Sequence, residues 1–419
     1  MSSLFPDTSL CALRFAGSRA LIVIVVLTVI ACSNSSSGPP ASGARLASPS
    51  AALGPTADSK AADLRARLNL LLGEHVIVIA KDSLAAAANR ADEYKGYATL
   101  LTINGTDLSG VMATAFGASS AASFDQIWAE QNNYFVDYTV GIVSHNASKS
   151  NGAISGLVNG FVPHFAKFMN SMTSIPLDPI TQLLTEQVLD TKAIIDDQAA
   201  LSNAKMFEDL HGAYVQASRI GDALASAIAR KFADKFPGDP SNKAGDFRVS
   251  LDNLLQEHSY LATMTAGATA AGRSSEQAAA LNALAANADR LGTLFSKVFG
   301  AATGTRFDQL WGARDAELVV YAGNADAATT QSALDSLTGA FVTQFTSLIH
   351  DSTDLGEDQL SSAVRAQVTD TIRVIDDQRA KSATTLAADD HTAAAAMNPI
   401  GDLIATATVA KLPAKFALS

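Results

Sequence analysis

The stretch "LLGEH" at residues 71–75 returns as "LLQEH" at residues 254–258, so a carboxylate stands next to an imidazole twice in one chain. The two copies are 183 residues apart, since 258 - 75 = 183. The same offset separates "FDQIW" at 124–128 from "FDQLW" at 307–311. Ordered matches at one offset indicate that a segment of the chain was duplicated.

The copy continues towards the end of the chain. "QVLDTKAIIDDQ" at 187–198 returns as "QVTDTIRVIDDQ" at 367–378, an offset of 180. The step Gly221-Asp222 returns as Gly401-Asp402 with the same offset. A loop of the second half is therefore shorter by 183 - 180 = 3 residues. The sequence predicts two homologous domains in tandem.

Apolar residues recur at helical spacing within each half. One stripe in the first half consists of Leu64, Leu68, Leu71, His75 and Val78. The pattern predicts helices at about 60–90, 93–116, 122–145, 151–173, 178–201 and 203–234. No run of alternating β-branched residues indicates a strand. We therefore predict an all-α fold with two tandem up-down helical bundles of about four to six helices each.

The composition favours a globular, helical protein. Hydrophobic residues make up 48% of the 419-residue chain, charged residues 17% and aromatic residues 6%, with 12 prolines. This profile favours helices over sheet. The formal net charge is -11, and lysine and arginine form no cluster. Because contact with phosphates requires clustered positive charge, no nucleic-acid partner is expected.

The N-terminus has the pattern of a bacterial secretion signal. Basic residues precede an apolar run, Ala20–Ala31, which is about half of the ~20 residues needed to span a bilayer. The run ends in "VIAC" at 29–32, which resembles the lipobox of bacterial lipoproteins. We expect residues 1–31 to be a lipoprotein signal peptide and Cys32 to be the lipidated residue. The alternatives are an uncleaved anchor and an ordinary signal peptide with an incidental cysteine.

The other domain limits follow from composition. Residues 32–60 contain the lipidated cysteine and a segment rich in Ser, Ala, Gly and Pro, which is typical of a flexible linker. Residues 61–236 and 247–419 are the two bundles, and 237–246 is the linker between them. The chain has two cysteines, and cleavage before Cys32 removes the other. No disulfide and no cysteine chemistry are therefore expected in the mature chain.

A set of polar residues recurs in both halves on otherwise apolar faces, and these are the candidate site residues. They are Glu74, His75, Gln187, Asp190 and His211, with Glu257, His258, Gln367, Asp370 and His391. Helical bundles build metal sites from inward Glu and His, and such ligands suit iron, zinc or manganese. One alternative is a buried network in which His75 and His211 bond to Gln187 or Asp190. Another is a pocket for a small ligand.

Motifs for catalysis are not found. The paired carboxylates of "IDDQ" at 195–198 and 375–378 face different directions on a helix, and we interpret them as caps or solvent-exposed residues. The chain has no phosphate-binding glycine loop, no G-x-S-x-G motif and no HExxH motif. We expect no catalytic residues, and no cofactor other than the transition metal considered above.

Three segments resemble an uncharacterised bacterial family of secreted helical-repeat proteins. They are "LRARLNLLLGEH" at 64–75, "IWAEQNNYFVDYTVGIV" at 127–143 and "IGDALASAIARKFADKF" at 220–236. Some members carry the label copper amine oxidase-like domain, but nothing in this chain resembles an amine-oxidase catalytic domain. The resemblance implies a helical repeat and no particular activity.

The family often has histidines that this chain lacks. The corresponding positions hold Gln131, Val215 and Gln216 in the first half, and Arg314, Ala395 and Ala396 in the second. If those histidines bind a metal in relatives, the resemblance implies that this chain has lost that set.

Together these features predict a lipid-anchored protein of the bacterial cell envelope, on the cell membrane or the outer membrane, facing the periplasm or the exterior. The expected role is non-catalytic binding or scaffolding, with a protein or small molecule as the unidentified partner. One alternative is a metal-binding bundle of ferritin-like or hemerythrin-like type. Another is a binding module whose groove lies between the two bundles.

Overall fold

A computed structural model describes residues 56–323 and 326–417. Throughout these ranges the regular secondary structure is helical, without a strand, so the prediction of an all-α fold is confirmed. The predicted signal peptide, the lipidation site at Cys32 and most of the predicted linker lie outside the described residues.

Seven helices form the first half. They are α1 (Lys60–Ala87), α2 (Ala91–Phe116), α3 (Ala118–Val143), α4 (Ala147–Gly156), α5 (Val162–Thr173), α6 (Leu177–Ala199) and α7 (Asn203–Lys231). A π-helical segment, Leu157–Phe161, joins α4 to α5. The predicted helix at 151–173 is therefore real but interrupted.

The second half repeats this order. Its helices are α8 (Lys243–Ala270), α9 (Ser274–Phe299), α10 (Ala301–Ala322), α11 (Ala327–Asp335), α12 (Val342–Thr353), α13 (Glu357–Ala380), α14 (Ala383–Ala395), α15 (Met397–Lys411) and the short α16 (Pro413–Phe416). A π-helical segment, Ser336–Phe341, again precedes the fifth helix. We call two residues at the same place in the two halves twins. The sequence numbers of twins differ by 183 up to α3 and α10, and by 180 after these helices. The helix limits are compatible with the predicted duplication.

Polar caps fix where the two halves begin. Ser59 Oγ accepts a hydrogen bond from the amide of Ala62 at 3.1 Å, and Asn242 Oδ1 accepts one from the amide of Gly245 at 2.8 Å. Each cap satisfies an amide that would otherwise lack a partner in the first turn. Helix α8 therefore begins at Lys243, inside the predicted linker of 237–246. The predicted linker of 32–60 also ends early, because Ala57 is buried.

Helices α1 and α8 lie at the centre of the molecule. Every residue of 68–83 in α1 and of 255–266 in α8 is buried, which is typical of a helix surrounded on all sides. The two helices contact each other, and each also contacts helices of its own half. Residues Pro55–Ser419 form one compact unit whose main core draws on both halves. The two predicted bundles are thus joined by a shared interior.

The repeated Gly-Asp step explains how closely the helices approach α1 and α8. A Cβ atom at Gly221 would lie 1.9 Å from Asn69 Oδ1, and one at its twin Gly401 would lie 2.0 Å from Asp252 Oδ1. A larger residue at either position would have to displace the buried side chain of Asn69 or Asp252, so glycine lets α7 pack on α1, and α15 on α8, without that displacement.

The π-helical segments are a difference from the sequence prediction. Pro163 lies just after the first segment and has no amide hydrogen to continue the helical ladder. Its twin is Thr343, yet the second half has the same π-helical segment. Proline is therefore not required for the widened turn. In both halves the segment ends in a phenylalanine that packs against a tryptophan. The pairs are Phe161 with Trp128 and Phe341 with Trp311.

Candidate functional site

The carboxylate of Glu74 is held by residues of the second half. His391 Nδ1 lies 2.6 Å from Glu74 Oε1, and the Tyr260 hydroxyl donates to the same oxygen at 2.6 Å. Asn104 Nδ2 donates to the other oxygen at 3.0 Å. Burial by itself raises the pKa of Glu74, but these hydrogen bonds and the charge of His391 outweigh it and place the pKa below its ordinary value.

Glu257 repeats this arrangement in the opposite direction. His211 Nδ1, from the first half, lies 2.7 Å from Glu257 Oε1, and Asn287 Nδ2 donates to Glu257 Oε2 at 2.8 Å. The two Glu-His contacts are therefore reciprocal, because each carboxylate pairs with the histidine of the other half. The sequence prediction placed each Glu and His of this set in a site within its own half, and the structure pairs them differently.

The neighbouring histidines point away from these contacts. His75 Nδ1 lies 3.2 Å from Asn104 Oδ1, and His258 Nδ1 lies 3.1 Å from Asn287 Oδ1. Complete burial lowers the pKa of His75 to about 4. Adjacent residues on a helix diverge, which is why Glu74 and His75 have different surroundings. The predicted hydrogen bonds from His75 or His211 to Gln187 or Asp190 are not formed.

The other four predicted residues are divided between the core and the surface. Gln187 and Gln367 are buried and donate to Thr191 and Thr371, at 3.3 Å and 2.8 Å. Asp190 is half-buried, and burial together with nearby acidic residues raises its pKa. Asp370 Oδ1 accepts a hydrogen bond from Arg373 at 3.0 Å. The ten predicted residues do not converge on one centre. No group of three or more His, Cys, Asp and Glu side chains in the described ranges could hold a metal.

A buried ion pair that the sequence did not reveal joins the halves beside Glu74. Lys81 Nζ bonds to Asp390 Oδ2, and the Tyr97 hydroxyl donates to the same carboxylate at 3.0 Å. Thr263 Oγ1 donates to Asp390 Oδ1 at 2.7 Å. The signal was present in the sequence, since Lys81 ends the apolar run "VIVIA" and Asp390 precedes His391. The ion pair was missed because the twins of Lys81 and Asp390 are apolar, and the sequence comparison selected only polar residues that occur in both halves.

Two arginines form a further reciprocal contact between the halves. Arg65 Nε donates to Asp222 Oδ1 at 2.6 Å in its own half and Nη1 bonds to Asp246 in the other. Its twin Arg248 donates to Asp402 at 2.6 Å and bonds to Asp63 of the first half. The aspartate of each Gly-Asp step, Asp222 or Asp402, therefore orients an arginine towards an aspartate of the other half.

A cleft opens at the junction of the halves, above the Lys81–Asp390 pair. Its volume is about 260 Å³, and its walls come from α1 and α2 of the first half and from α8, α9, α13 and α14 of the second. Five basic residues line it, Lys81, Arg90, Arg273, Arg379 and Lys381, against three acidic residues, Glu93, Glu276 and Asp377. The lining thus has a net charge of 5 - 3 = +2 in a chain of net charge -11.

A second cavity of about 260 Å³ lies against the His211–Glu257 pair. Its other walls are mostly apolar, with Phe207 and Leu261 on one side and alanines of α9 on the other. The predicted residues His211 and Glu257 are therefore accessible from a cavity.

The contribution of the Glu74–His391 pair to stability depends on pH. The pKa of His391 is raised by the hydrogen bond to Glu74, so its stabilisation is complete below the ordinary value of 6.5 and is lost as pH rises through the raised pKa. The lowered pKa of Glu74 gives stabilisation that is complete above the ordinary value of 4.5 and is lost as pH falls through the lowered pKa. The pair therefore stabilises the fold most between pH 4.5 and 6.5.

We predict that His391→Gln lowers the free energy of unfolding by about 2 kcal/mol near pH 5.5 and by less near pH 9. The loss is smaller than for a fully buried pair because 29% of the His391 side chain is exposed. Urea denaturation at both pH values measures the difference. The control is His164→Gln, at a histidine whose side chain is 58% exposed, where a change of less than about 0.5 kcal/mol is expected. A loss that is equal at both pH values would contradict the assignment.

The twins of Lys81 and Asp390 are Met264 in the second half and Leu210 in the first, both buried, so the repeat itself shows that apolar residues suit these two places. We predict that Lys81→Met or Asp390→Leu alone lowers the free energy of unfolding by about 3–5 kcal/mol, because each leaves a buried charge unpaired. The double variant should recover to within about 1–2 kcal/mol of the natural chain. A double-mutant cycle by urea denaturation measures this, and additive losses would refute it.

The chain was also compared with known proteins. No family model matches it, and no curated protein or solved structure is similar to it. Among the described residues, no helix is both long enough and apolar enough to cross a membrane. The resemblance to secreted helical-repeat proteins therefore stays a prediction.

Proposed function

We propose that this chain is a lipid-anchored cell-envelope protein whose helical body binds a ligand without changing it chemically. The observation that carries the proposal is the cleft between the two halves. The sequence offered a groove between the bundles as one alternative, and a cleft of about 260 Å³ occurs at that junction. Clefts between packed units are preferred places for small-molecule sites, and this volume suits a small ligand.

The charges of the cleft favour an anionic ligand. Arg90 Nε pairs with Glu93 at 2.6 Å, and Arg273 Nε with Glu276 at 2.7 Å, so these four charges cancel locally. Arg379 and Lys381 have no ion-pair partner within 4.0 Å in the part of the chain that the structure describes. The Arg379 guanidinium lies instead 5.3 Å from the ring centre of Tyr321. Asp377 also lines the cleft without an ion-pair partner among the described residues, so the three residues leave a charge of 2 - 1 = +1 there, which suits a carboxylate or phosphate group.

Binding rather than catalysis is supported by how the polar residues are used. The buried carboxylates Glu74 and Glu257 are each saturated by a histidine and an asparagine. A general acid or base must reach the substrate, whereas Glu74 lines neither of the two cavities and both carboxylates are engaged in joining the halves. The membrane anchor is supported by the "VIAC" pattern ending in Cys32 and by the linker-like composition that follows it.

We predict that inorganic phosphate or citrate stabilises the full chain saturably, as measured by the shift of the melting temperature at constant ionic strength. Arg379→Gln combined with Lys381→Gln should weaken this binding about tenfold or more, because the double variant removes both lining cations that have no ion-pair partner among the described residues. Sodium chloride at the same ionic strength controls for screening.

The matched control is Lys167→Gln, which removes an exposed lysine outside the cleft and should leave anion binding unchanged. The absence of a saturable shift with either anion, or equal affinities in the double variant and the Lys167 control, would refute the anionic ligand.

The anchor is tested separately with a fatty-acid probe in bacterial cells. The natural chain should incorporate the probe and fractionate with membranes, whereas Cys32→Ala should incorporate none. Equal labelling of the two chains would show that Cys32 is not the lipidated residue, and it would leave the result for the cleft unaffected.

A further inference from the structure

The second half encloses the guanidinium of Arg314 in its core. Arg314 Nη1 lies 3.2 Å from His258 Nε2 and donates to Asp315 Oδ1 at 3.1 Å, while Nη2 donates to Gln367 Oε1 at 3.2 Å. The ring centres of Trp311 and Phe341 lie 5.3 Å and 5.6 Å from the guanidinium carbon. This is a site for a cation, built from carboxylate, amide and imidazole acceptors and two aromatic rings. Here the chain itself supplies the cation.

The first half retains the surroundings of this site but replaces the ion pair. The twins of Arg314 and Asp315 are Gln131 and Asn132, so both formal charges are removed together. The aromatic rings remain, as Trp128 and its neighbour Phe161, whose ring centres are 6.2 Å apart.

Five polar atoms of this first-half site have no hydrogen-bond partner among the described residues. They are His75 Nε2, Trp128 Nε1, Gln131 Oε1, Asn132 Oδ1 and Gln187 Oε1. All five side chains are more than nine-tenths buried. In contrast, His258, Trp311 and Gln367 of the second half have partners at the corresponding atoms. Because an unpaired buried polar atom costs about 1–3 kcal/mol, a set of five requires hydrogen-bond partners, which water or a bound group can supply.

Four of these five atoms are acceptors. The oxygens of the three amides can only accept. The tautomer of His75 follows from Asn104, whose Nδ2 donates to Leu71 and to Glu74, at 2.9 Å and 3.0 Å. Asn104 Oδ1 must therefore accept a hydrogen bond from His75 Nδ1, at 3.2 Å. His75 Nε2 then carries no hydrogen and can only accept through its lone pair. The bound group must donate hydrogen bonds to several acceptors at once.

The size of the group is limited by the difference between the two halves. A glutamine side chain has about two fewer non-hydrogen atoms than an arginine side chain, and asparagine matches aspartate in size. The first half can therefore admit about one or two non-hydrogen atoms at the position of the missing guanidinium.

We propose that the first half binds a small ammonium cation, ammonium itself or methylammonium, at the place that the Arg314 side chain occupies in the second half. The three amide oxygens match N–H donors of ammonium or methylammonium. His75 Nε2 is left to accept from Trp128 Nε1, as its twin His258 Nε2 accepts from Trp311. Trp128 and Phe161 present the same aromatic surroundings that enclose the guanidinium of Arg314. The site is distinct from the cleft between the halves and does not depend on the proposed function.

The experiment uses the full chain with Trp311→Phe, which leaves Trp128 as the only one of the two tryptophans. Ammonium chloride and methylammonium chloride, at constant ionic strength and pH 7, should change the Trp128 fluorescence saturably after incubation. Tetramethylammonium, which is larger and has no N–H donor, should have no effect. Gln131→Glu should tighten ammonium binding about tenfold, because it adds a negative charge beside the cation.

The matched variant is Gln131→Arg with Asn132→Asp, which copies the ion pair of the second half into the first and should abolish the response to ammonium. A response no larger than that to sodium, or an unchanged response in this variant, would overturn the proposal. An equal response to potassium would show that N–H donors are not recognised and would also overturn it. If the variant raises the melting temperature while ammonium has no effect, the site holds only water and the proposal is wrong.

Discussion

Glu74 and Glu257 are carboxylates buried in a helical core, where each needs a positive or hydrogen-bond-donating group within reach, and each is held by a histidine of the other half and an asparagine of its own. Glu74 is held by His391, and Glu257 by His211. Each half therefore supplies the imidazole that pairs with the buried glutamate of the other half. The central position of α1 and α8, and the single core that surrounds them, are consistent with this exchange of partners.

The two halves use one framework with different interiors. Lys81 and Asp390 form an ion pair beside Glu74, whereas their twins Met264 and Leu210 are apolar. Conversely, Arg314 and Asp315 form an ion pair in the second half where the first has two neutral amides. In both cases the charges are gained or lost as a pair, as expected if a single buried charge is too costly to keep. These differences give the halves distinct chemistry within a common architecture.

Most of the fold could be predicted from periodicity, because helix formation depends on neighbours within a few residues. The predicted helix of 93–116 begins two residues after Ala91, where α2 starts, and ends with it at Phe116. The start of α8 at Lys243 was missed, since its cap depends on one asparagine in a segment that otherwise resembles a linker. The π-helical segments were missed as well, because the four-residue spacing of Leu157, Phe161 and Phe165 also occurs on one face of an ordinary α-helix.

By itself, the sequence determined that the chain is helical. It also predicts a duplication, with which the structure is compatible, and it placed polar residues such as Glu74 and His391 on otherwise apolar faces. These properties follow from local spacing and from comparison of one half with the other. Only the tertiary structure decided which residues meet, because any inward carboxylate could pair with any inward base until α1 and α8 are packed together. The exchange of partners between halves, the Lys81–Asp390 pair and the cleft above it all depend on that packing.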